Sequence, residues 1–375
     1  MGTSSSMGKS VLNFRSLSVL GDPHRAGCST PLSAWFGHEC RCPLQLKCTA
    51  VDPVHHTLEL FPSHNHHTAE MNFKVRVFIF LLCVPFTWVL LSWRFSTSTN
   101  PCACEKCLSE EDPWIMQHFN RSVKPFLSSK DSLSEDAFNW WKHLQNERRK
   151  FGFYNKTVDN LFQMFPSSPN LTEPSPDRCR TCAVVGNSGN LKRSNYGPLI
   201  DLHDVIIRMN GGHTKGYERD VGTRTTHHIM YPESAVDLDN TTHLVLVAFK
   251  IQDLEWPMKA FTTGFFGRSY APVKSTIKAN KDLVMVINPA FMQYVHESWL
   301  EKKKGYPSTG FMALVLALHI CDEVSVFGFG ADEDGNWNHY WEKLANKNLK
   351  TGVHPGTHEY DIIKKLAGKQ RFKLW

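Results

Sequence analysis

A glycine-rich turn and two histidine motifs carry the residue types and spacings in this sequence that could do chemistry. Gly186-Asn187-Ser188-Gly189-Asn190 closes a β-branched run, and glycines there let backbone amides approach a ligand oxygen ahead of a helix start. A nucleotide suits such a turn. The dinucleotide fingerprint G-x-G-x-x-G is absent, and the next run closes on Asn210 where an acid would hold a ribose diol. Near the C-terminus stand His339-Tyr-Trp-Glu342 and His354-x4-Glu359. A reaction that takes a proton from a hydroxyl needs a base tuned near neutrality, which an oriented histidine supplies. With 19 histidines in the chain most serve packing, and His227 and His228 read as structural.

Two D-x-D spacings, Asp237-Leu-Asp239 and Asp332-Glu-Asp334, match the pairs that hold a metal on a nucleotide diphosphate. The first abuts the sequon at Asn240 and reads as an exposed turn. The second imitates a calcium loop, but the sixth position is Trp337 and the twelfth Lys343. Neither is read as a metal site.

The elements that must position these residues are short apolar runs, each followed by a turn signal. They are CAVVG at 182–186, VIIRM at 205–209, HLVLVAF at 243–249, DLVMVI at 282–287 and EVSVFGFG at 323–330. Gly310 to Cys321 is apolar enough for a buried helix, and Trp114 to Phe165 has a helical pattern. Apolar strands alternating with helices indicate an α/β fold with one largely parallel sheet covered on both faces. Ligands of such sheets bind at the carboxyl ends of the strands, so the site is expected after Val185, Met209, Phe249, Ile287 and Phe327.

With 375 residues, 41% hydrophobic and 21% charged, the chain suits one large domain plus appendages. A thinly spread net charge of +6 gives no support to nucleic-acid binding. Residues 1–70 show no sustained period and read as an irregular extension, cytosolic or the product of a non-physiological start. Residues 71–76 form a basic tail. Val77 to Trp93 is uncharged, flanked by Lys74, Arg76 and Arg94, with aromatic residues towards both edges, and is expected to be one transmembrane signal-anchor. A polar stem at 94–100 leads to a catalytic domain at 101–375.

All four sequons, at Asn120, Asn155, Asn170 and Asn240, follow the apolar run. Their one-sided placement puts the C-terminal part in the secretory lumen. Six cysteines follow the run, Cys102, Cys104, Cys107, Cys179, Cys182 and Cys321, enough for three disulfides in any of 15 pairings. The C-x2-C spacings at Cys104/Cys107 and Cys179/Cys182 also suit zinc, though an oxidising lumen and the odd Cys102 favour disulfides.

Taken together, Cys182 to Ser234, from CAVVGNSGN to HHIMYPES, resembles the large sialylmotif of the animal sialyltransferases. Pro307 to Ala331 resembles the small sialylmotif, HYWE at 339–342 the third motif and His354-x4-Glu359 the very small one, all in family order. The resemblance covers roughly Pro101 to Trp375. CACEKC at 102–107 and NWWKHLQNERR at 139–149 are most similar to the β-galactoside α-2,3 branch acting on Galβ1-3GalNAc.

That resemblance implies a Golgi membrane enzyme of type II topology, with a Rossmann-like sheet in a GT-A-like variant. The implied reaction is inverting, needs no metal or cofactor, and moves sialic acid from CMP-sialic acid to galactose-ended glycans of glycoproteins and glycolipids. Asn187 and Asn210 would contact the nucleotide, with Ser188 beside them; Tyr270, Tyr306 and His339 would surround the phosphate; Gly310 and Gly330 would leave room for CMP. Ser308 and Thr309 fall in the same donor loop, Gln145 would hydrogen-bond the acceptor, and His354 would be the general base. The disulfides implied are Cys102–Cys107, Cys104–Cys179 and Cys182–Cys321.

A nucleotide-dependent oxidoreductase would need the missing glycine fingerprint, and a tethered zinc scaffold would bind glycans without turnover. The chain departs from the family pattern mainly in residues 1–70, because such enzymes start just before the span. Translation from Met71 is therefore expected to give a fully active enzyme in the Golgi; a Met71-initiated fluorescent fusion that fails to reach that compartment, or lacks activity, would refute this.

Overall fold

The computed structural model describes residues 102–104, 112–166, 175, 177–343, 352–369 and 372–375, together with helical positions 73–74, 77–81 and 84. The chain divides into two units, Met1–Phe80 and Leu81–Trp375. In the first unit the described positions are helical and exposed. Most of the expected span at 77–93 lies outside the described residues, and among those described no helix is long and apolar enough to cross a membrane.

The second unit is organised by seven strands: β1 (Thr181–Val185), β2 (Val205–Met209), β3 (His227–Met230), β4 (His243–Leu246), β5 (Val284–Val286), β6 (Glu323–Phe327) and β7 (Lys373–Leu374). They form one sheet in the order β5-β4-β3-β2-β1-β6-β7, and every strand pair is parallel. Sequence steps outward in one direction from β1 to β5 and then restarts on the other side at β6. The reversal lies between β1 and β6, where Val185 is in register with Phe327. Crevices in open parallel sheets form at that kind of reversal.

Alternation along the strands covers both faces. Cys182 and Val184 of β1 join Ile207, Val324 and Val326 in the larger core, while Ala183 and Val185 join Ile206, Phe327 and Tyr340 in a smaller one. Burial on both faces explains why the strands are apolar throughout.

Helices α1 (Pro113–His118), α2 (Glu135–Lys142) and α3 (Phe151–Met164) precede the sheet. The helical stretch expected from 114 to 165 is thus broken twice. Asp112 starts α1 and Ser134 starts α2, each accepting backbone N–H bonds as an N-cap. Between strands run the short α4 (Gly197–Asp201) and α5 (Glu218–Val221), then α6 (Ile251–Ala260) and α7 (Pro289–Tyr294).

Helix α8 (Thr309–Ile320) buries ten of its twelve residues, so it is apolar all round and lies inside the fold. It packs on β1 and β6, the strands that flank the reversal, and on β2 and β3 beside them. The last helix, α9 (Gly356–Gly368), precedes β7. Strands β3 and β7 are absent from the sequence reading: β3 opens on two histidines, and β7 contributes only two residues.

Two disulfides between described residues fasten this arrangement. Cys104 bonds Cys179 at 2.02 Å, and Cys182 at the start of β1 bonds Cys321 just after α8 at 1.97 Å. Cys102 is disulfide-bonded as well; Cys107, its expected partner, lies outside the described residues. Asn120, Asn155 and Asn240 are exposed, whereas Asn170 lies outside the described residues. Because Cys182–Cys321 closes a loop of sequence separation 139, replacing both cysteines by alanine is expected to lower unfolding stability by about 2–5 kcal/mol. Chemical denaturation of the two proteins at one pH measures the difference.

Candidate active site

The turn after β1 reaches across the reversal to the turn after β6. Gly186 N–H donates to Phe327 O at 2.7 Å, and Ser188 N–H donates to Gly328 O at 3.0 Å. The Ser188 hydroxyl donates to Gly330 O at 2.6 Å. Asn187 lies against the end of β2, its Nδ2 donating to Met209 O at 3.2 Å. Its Oδ1 is buried and has no hydrogen-bond partner. Such an acceptor is costly unless a ligand donor arrives.

Asn210 follows β2 with φ +51°, a left-handed conformation that asparagine tolerates. Ser234 Oγ donates to its Oδ1 at 3.0 Å, and His228 Nε2–H donates to its backbone carbonyl at 2.7 Å. Burial holds His228 far below the usual imidazole range, at about 4, so the ring is neutral and supports the turn. Burial likewise takes His227 to about 3.

The 339–342 segment lies over the β1 turn. His339 bridges Ser188, Tyr340 N–H donates to Asn187 O at 3.0 Å, and Gly189 N–H donates to Asn338 O at 2.7 Å. The His339 ring stacks on Trp341 with centroids 4.5 Å apart, and its Nδ1–H donates to Glu342 Oε1 at 2.6 Å. Both contacts fix the ring plane.

On the opposite side, Ser308 caps α8 by accepting from Phe311 N–H at 3.1 Å. Its hydroxyl donates to Glu359 Oε2 at 2.6 Å and its backbone N–H to Glu359 Oε1 at 2.7 Å. Ser308 is therefore engaged with the protein, and Thr309 is 6% exposed. A Cβ on Gly310 would come 3.3 Å from Met209 Sδ, and one on Gly330 would come 2.6 Å from the Tyr360 hydroxyl. Gly330 also has φ +100°, so its glycine requirement is already set by α9 packing against it.

His354 stands just before α9. Its Nδ1–H donates to Tyr306 O at 2.9 Å, and its ring meets the Tyr306 ring edge-on at 4.9 Å. Donation from Nδ1 puts the lone pair of the neutral ring on Nε2. Burial lowers the His354 pKa, an effect that the Tyr306 carbonyl opposes. Tyr306 in turn packs on Phe249 at 5.1 Å, and Phe249 meets Tyr231 at 6.0 Å.

Gln145 follows α2, whose Trp141 Nε1–H donates to Ala248 O at 2.7 Å beyond β4. Gln145 Oε1 accepts from Lys250 Nζ at 3.2 Å. Tyr270 is 72% exposed, yet its phenol is pushed well above the ordinary range, by desolvation first and then by Tyr231 and Glu233. The carboxyl edge of the sheet thus gathers Asn187, Ser188, Asn210, Gly330, His339, Tyr306, His354 and Gln145 into a linked series of contacts. Tyr231, Glu233, Ser234 and Lys250 belong to it too, although the sequence reading passed over them.

Three of the four D-x-D carboxylates are used locally. Asp237 pairs with Lys274 at 3.0 Å, Asp239 accepts from Thr241 and Thr242, and Asp332 accepts from Asn336 and Asn338. Cys104 and Cys179 lie near Glu323 but are joined as a disulfide, which removes them as thiolate ligands.

Comparison with known proteins bears on this edge directly. The sequence model of glycosyltransferase family 29 (sialyltransferase) matches residues 126–371, from ahead of the sheet through both histidine motifs. The chain belongs to that family. It is 45% identical over 282 residues to the Sus scrofa CMP-N-acetylneuraminate-beta-galactosamide-alpha-2,3-sialyltransferase 1, covering 74% of this chain and 82% of the pig protein. It is 44% identical to the Mus musculus enzyme of the same name numbered 2, over 73% of this chain and 79% of that one. Among solved structures, a mammalian sialyltransferase has a TM-score of 0.69 at 45% identity, covering 74% of this chain and 99% of that one. A second, solved in complex with Gal-beta-1-3GalNAc-ortho-nitrophenol, gives 0.67 at 43% identity over 73% and 99%.

Glu359 ties α9 to the start of α8 through Ser308, and burial raises its carboxyl to about 6 while Ser308 lowers it. Glu359→Ala strands the Ser308 backbone N–H and is expected to cost about 1–3 kcal/mol. Glu359→Gln keeps an acceptor there and costs less. Because the folded pKa lies above the ordinary carboxyl value, Glu359 favours the folded state at low pH and this contribution is lost as pH rises through about 6. The Gln variant should flatten that slope in unfolding titrations.

Proposed function

We propose that this chain transfers sialic acid from CMP-sialic acid to the 3-hydroxyl of terminal galactose in Galβ1-3GalNAc-type glycans, with inversion, His354 acting as general base. One observation carries the mechanism: His354 Nδ1 lies 2.9 Å from the Tyr306 carbonyl, an acceptor that draws the proton of the neutral ring to Nδ1 and makes Nε2 the basic nitrogen. The acceptor class is supported by the names of the curated relatives and by the disaccharide in the similar solved structure.

The donor enters at the reversal between β1 and β6. Asn187, with its unmatched Oδ1, and Asn210 address the nucleotide; Tyr270, Tyr306 and His339 address the single phosphate. Neutral and histidine donors suffice for a leaving CMP whose developing charge is spread over one phosphate. His354 Nε2 takes the proton of the 3-hydroxyl as that oxygen attacks the anomeric carbon from the face opposite CMP. The C–O bond to the phosphate breaks and CMP departs with the electron pair. No step requires a divalent ion.

The same reading places the catalytic unit in the Golgi lumen behind a single N-terminal anchor. The two disulfides fit an oxidising compartment, as do the exposed sequons. Protease protection in intact vesicles, lost on adding detergent, is the expected result.

Residues 95–375 incubated in EDTA with CMP-sialic acid should sialylate Galβ1-3GalNAc in preference to Galβ1-4GlcNAc or lactose; no transfer to any of them would overturn the proposal. His354→Ala is expected to lose on the order of 10²–10⁴ in kcat, the usual worth of a general base. Burial lowers the His354 pKa from 6.5, so the neutral base persists below that pH. The acid limb of kcat/KM should accordingly fall below pH 6.5 in the wild type and vanish from the residual activity of the variant.

A further inference from the structure

Lys250 follows Phe249 at the carboxyl end of β4 and caps α6 from its N-terminal side. Its side chain is 15% exposed, and its ammonium has three oxygen partners. Nζ lies 2.7 Å from Asp253 Oδ1, 3.1 Å from Glu233 Oε1 and 3.2 Å from Gln145 Oε1. Three protons meet three oxygens, so the position of the nitrogen is over-determined.

Two of those partners are anchored firmly. Asp253 is 2% exposed, and its other oxygen accepts from Phe249 N–H at 2.8 Å. The Glu233 side chain is 4% exposed, and the same Oε1 that meets Lys250 accepts from the Ser269 hydroxyl. Ser269 directly precedes Tyr270, whose ring centroid lies 6.0 Å from Nζ. The third partner, Gln145, hangs beyond the end of α2 and gains a fixed amide orientation from the lysine. With the carbonyl committed to a cation, Gln145 offers a sugar its Nε2–H donors.

The geometry points to Lys250 as a positioning residue for the acceptor: it fixes the Gln145 amide so that its donor end meets a lone pair on the acceptor sugar, at a set distance from Tyr270. This rests on the proposed transfer to a galactose-ended acceptor and on the acceptor contact that the family resemblance implies for Gln145. Lys250 itself touches neither substrate. Its ion pairs with Asp253 and Glu233 give it the rigidity to orient a side chain on a separate element, through a hydrogen bond of charged type.

The test is a kinetic double-mutant cycle on the full lumenal unit with CMP-sialic acid and Galβ1-3GalNAc, using Lys250→Met, Gln145→Ala and the pair. Lys250→Met is expected to raise the acceptor KM roughly ten- to a hundredfold, the range of a hydrogen bond to a charged group, with donor KM nearly unchanged. In the Gln145→Ala background the same change should add less than about threefold, because the amide through which it acts is gone.

Since Lys250→Met strands two buried carboxylates, Lys250→Met/Asp253→Asn is measured alongside it, and thermal unfolding confirms that each variant is folded. The double variant should show the same rise in acceptor KM. Independent, multiplying effects of Lys250 and Gln145 overturn the inference, as does a rise confined to donor KM. If Gln145→Ala leaves the acceptor KM unchanged, the acceptor role of Gln145 falls and the inference with it; if it raises the KM while Lys250→Met does not, the inference alone falls.

Discussion

The turn after β1 and the turn after β6 must pass within hydrogen-bonding distance of each other, and the rest of the site follows from that contact. A Cβ on Gly186 would lie 2.3 Å from Gly328 O, so only glycine permits the approach. Once the two turns are joined, Asn187 is carried to the end of β2 and Ser188 to the Gly330 carbonyl. The 339–342 segment then finds its backbone partners on the β1 turn, and α9 settles with Tyr360 in the space beside Gly330. His339 and His354 come from separate stretches of chain: the first lies on the β1 turn, and the second is held by Tyr306.

Desolvation dominates the electrostatics along this edge, and it acts on several groups that have different tasks. Asp253 and Glu359 are both raised to about 6, and His354 is lowered, with burial the largest cause in each. Perturbed titration by itself would nominate the two carboxyls as readily as the histidine. Geometry separates them. Glu359 spends both oxygens on Ser308, and Asp253 on Lys250 and the Phe249 amide, whereas His354 meets the Tyr306 carbonyl through Nδ1 on the stretch that leads into α8.

Much of the sheet was legible in the sequence because doubly covered parallel strands must be apolar throughout. VIIRM at 205–209 corresponds residue for residue to β2, and the apolar run after Ser308 to α8. The run at 243–249 proved shorter as a strand: β4 ends at Leu246, and Val247, Ala248 and Phe249 continue as buried coil that delivers Lys250. Strand β3 was hidden because its first residues are histidines, which only tertiary burial makes compatible with a strand. The glycine turn and the histidine motifs carried local signals. The Lys250, Glu233 and Gln145 network carried none, since its members lie on three elements and ordinary charged residues have no pattern that announces a partner 105 positions away. Disulfide pairing was similarly underdetermined by spacing, and geometry identifies two of the bonds.

The Cys182–Cys321 bond also divides the machinery topologically. It closes a covalent ring containing β1 through α8, and with them Asn187, Asn210, Tyr270, Tyr306 and the Ser308 cap. His339, Glu342, His354 and Glu359 lie outside the ring on the segment that follows. The ring is thus a closed circuit, and the histidines belong to the segment that leaves it at Cys321, beyond which the sequence has no further cysteine. A break in the chain inside the ring leaves its two ends tethered, while a break just beyond Ala331 releases both histidines together.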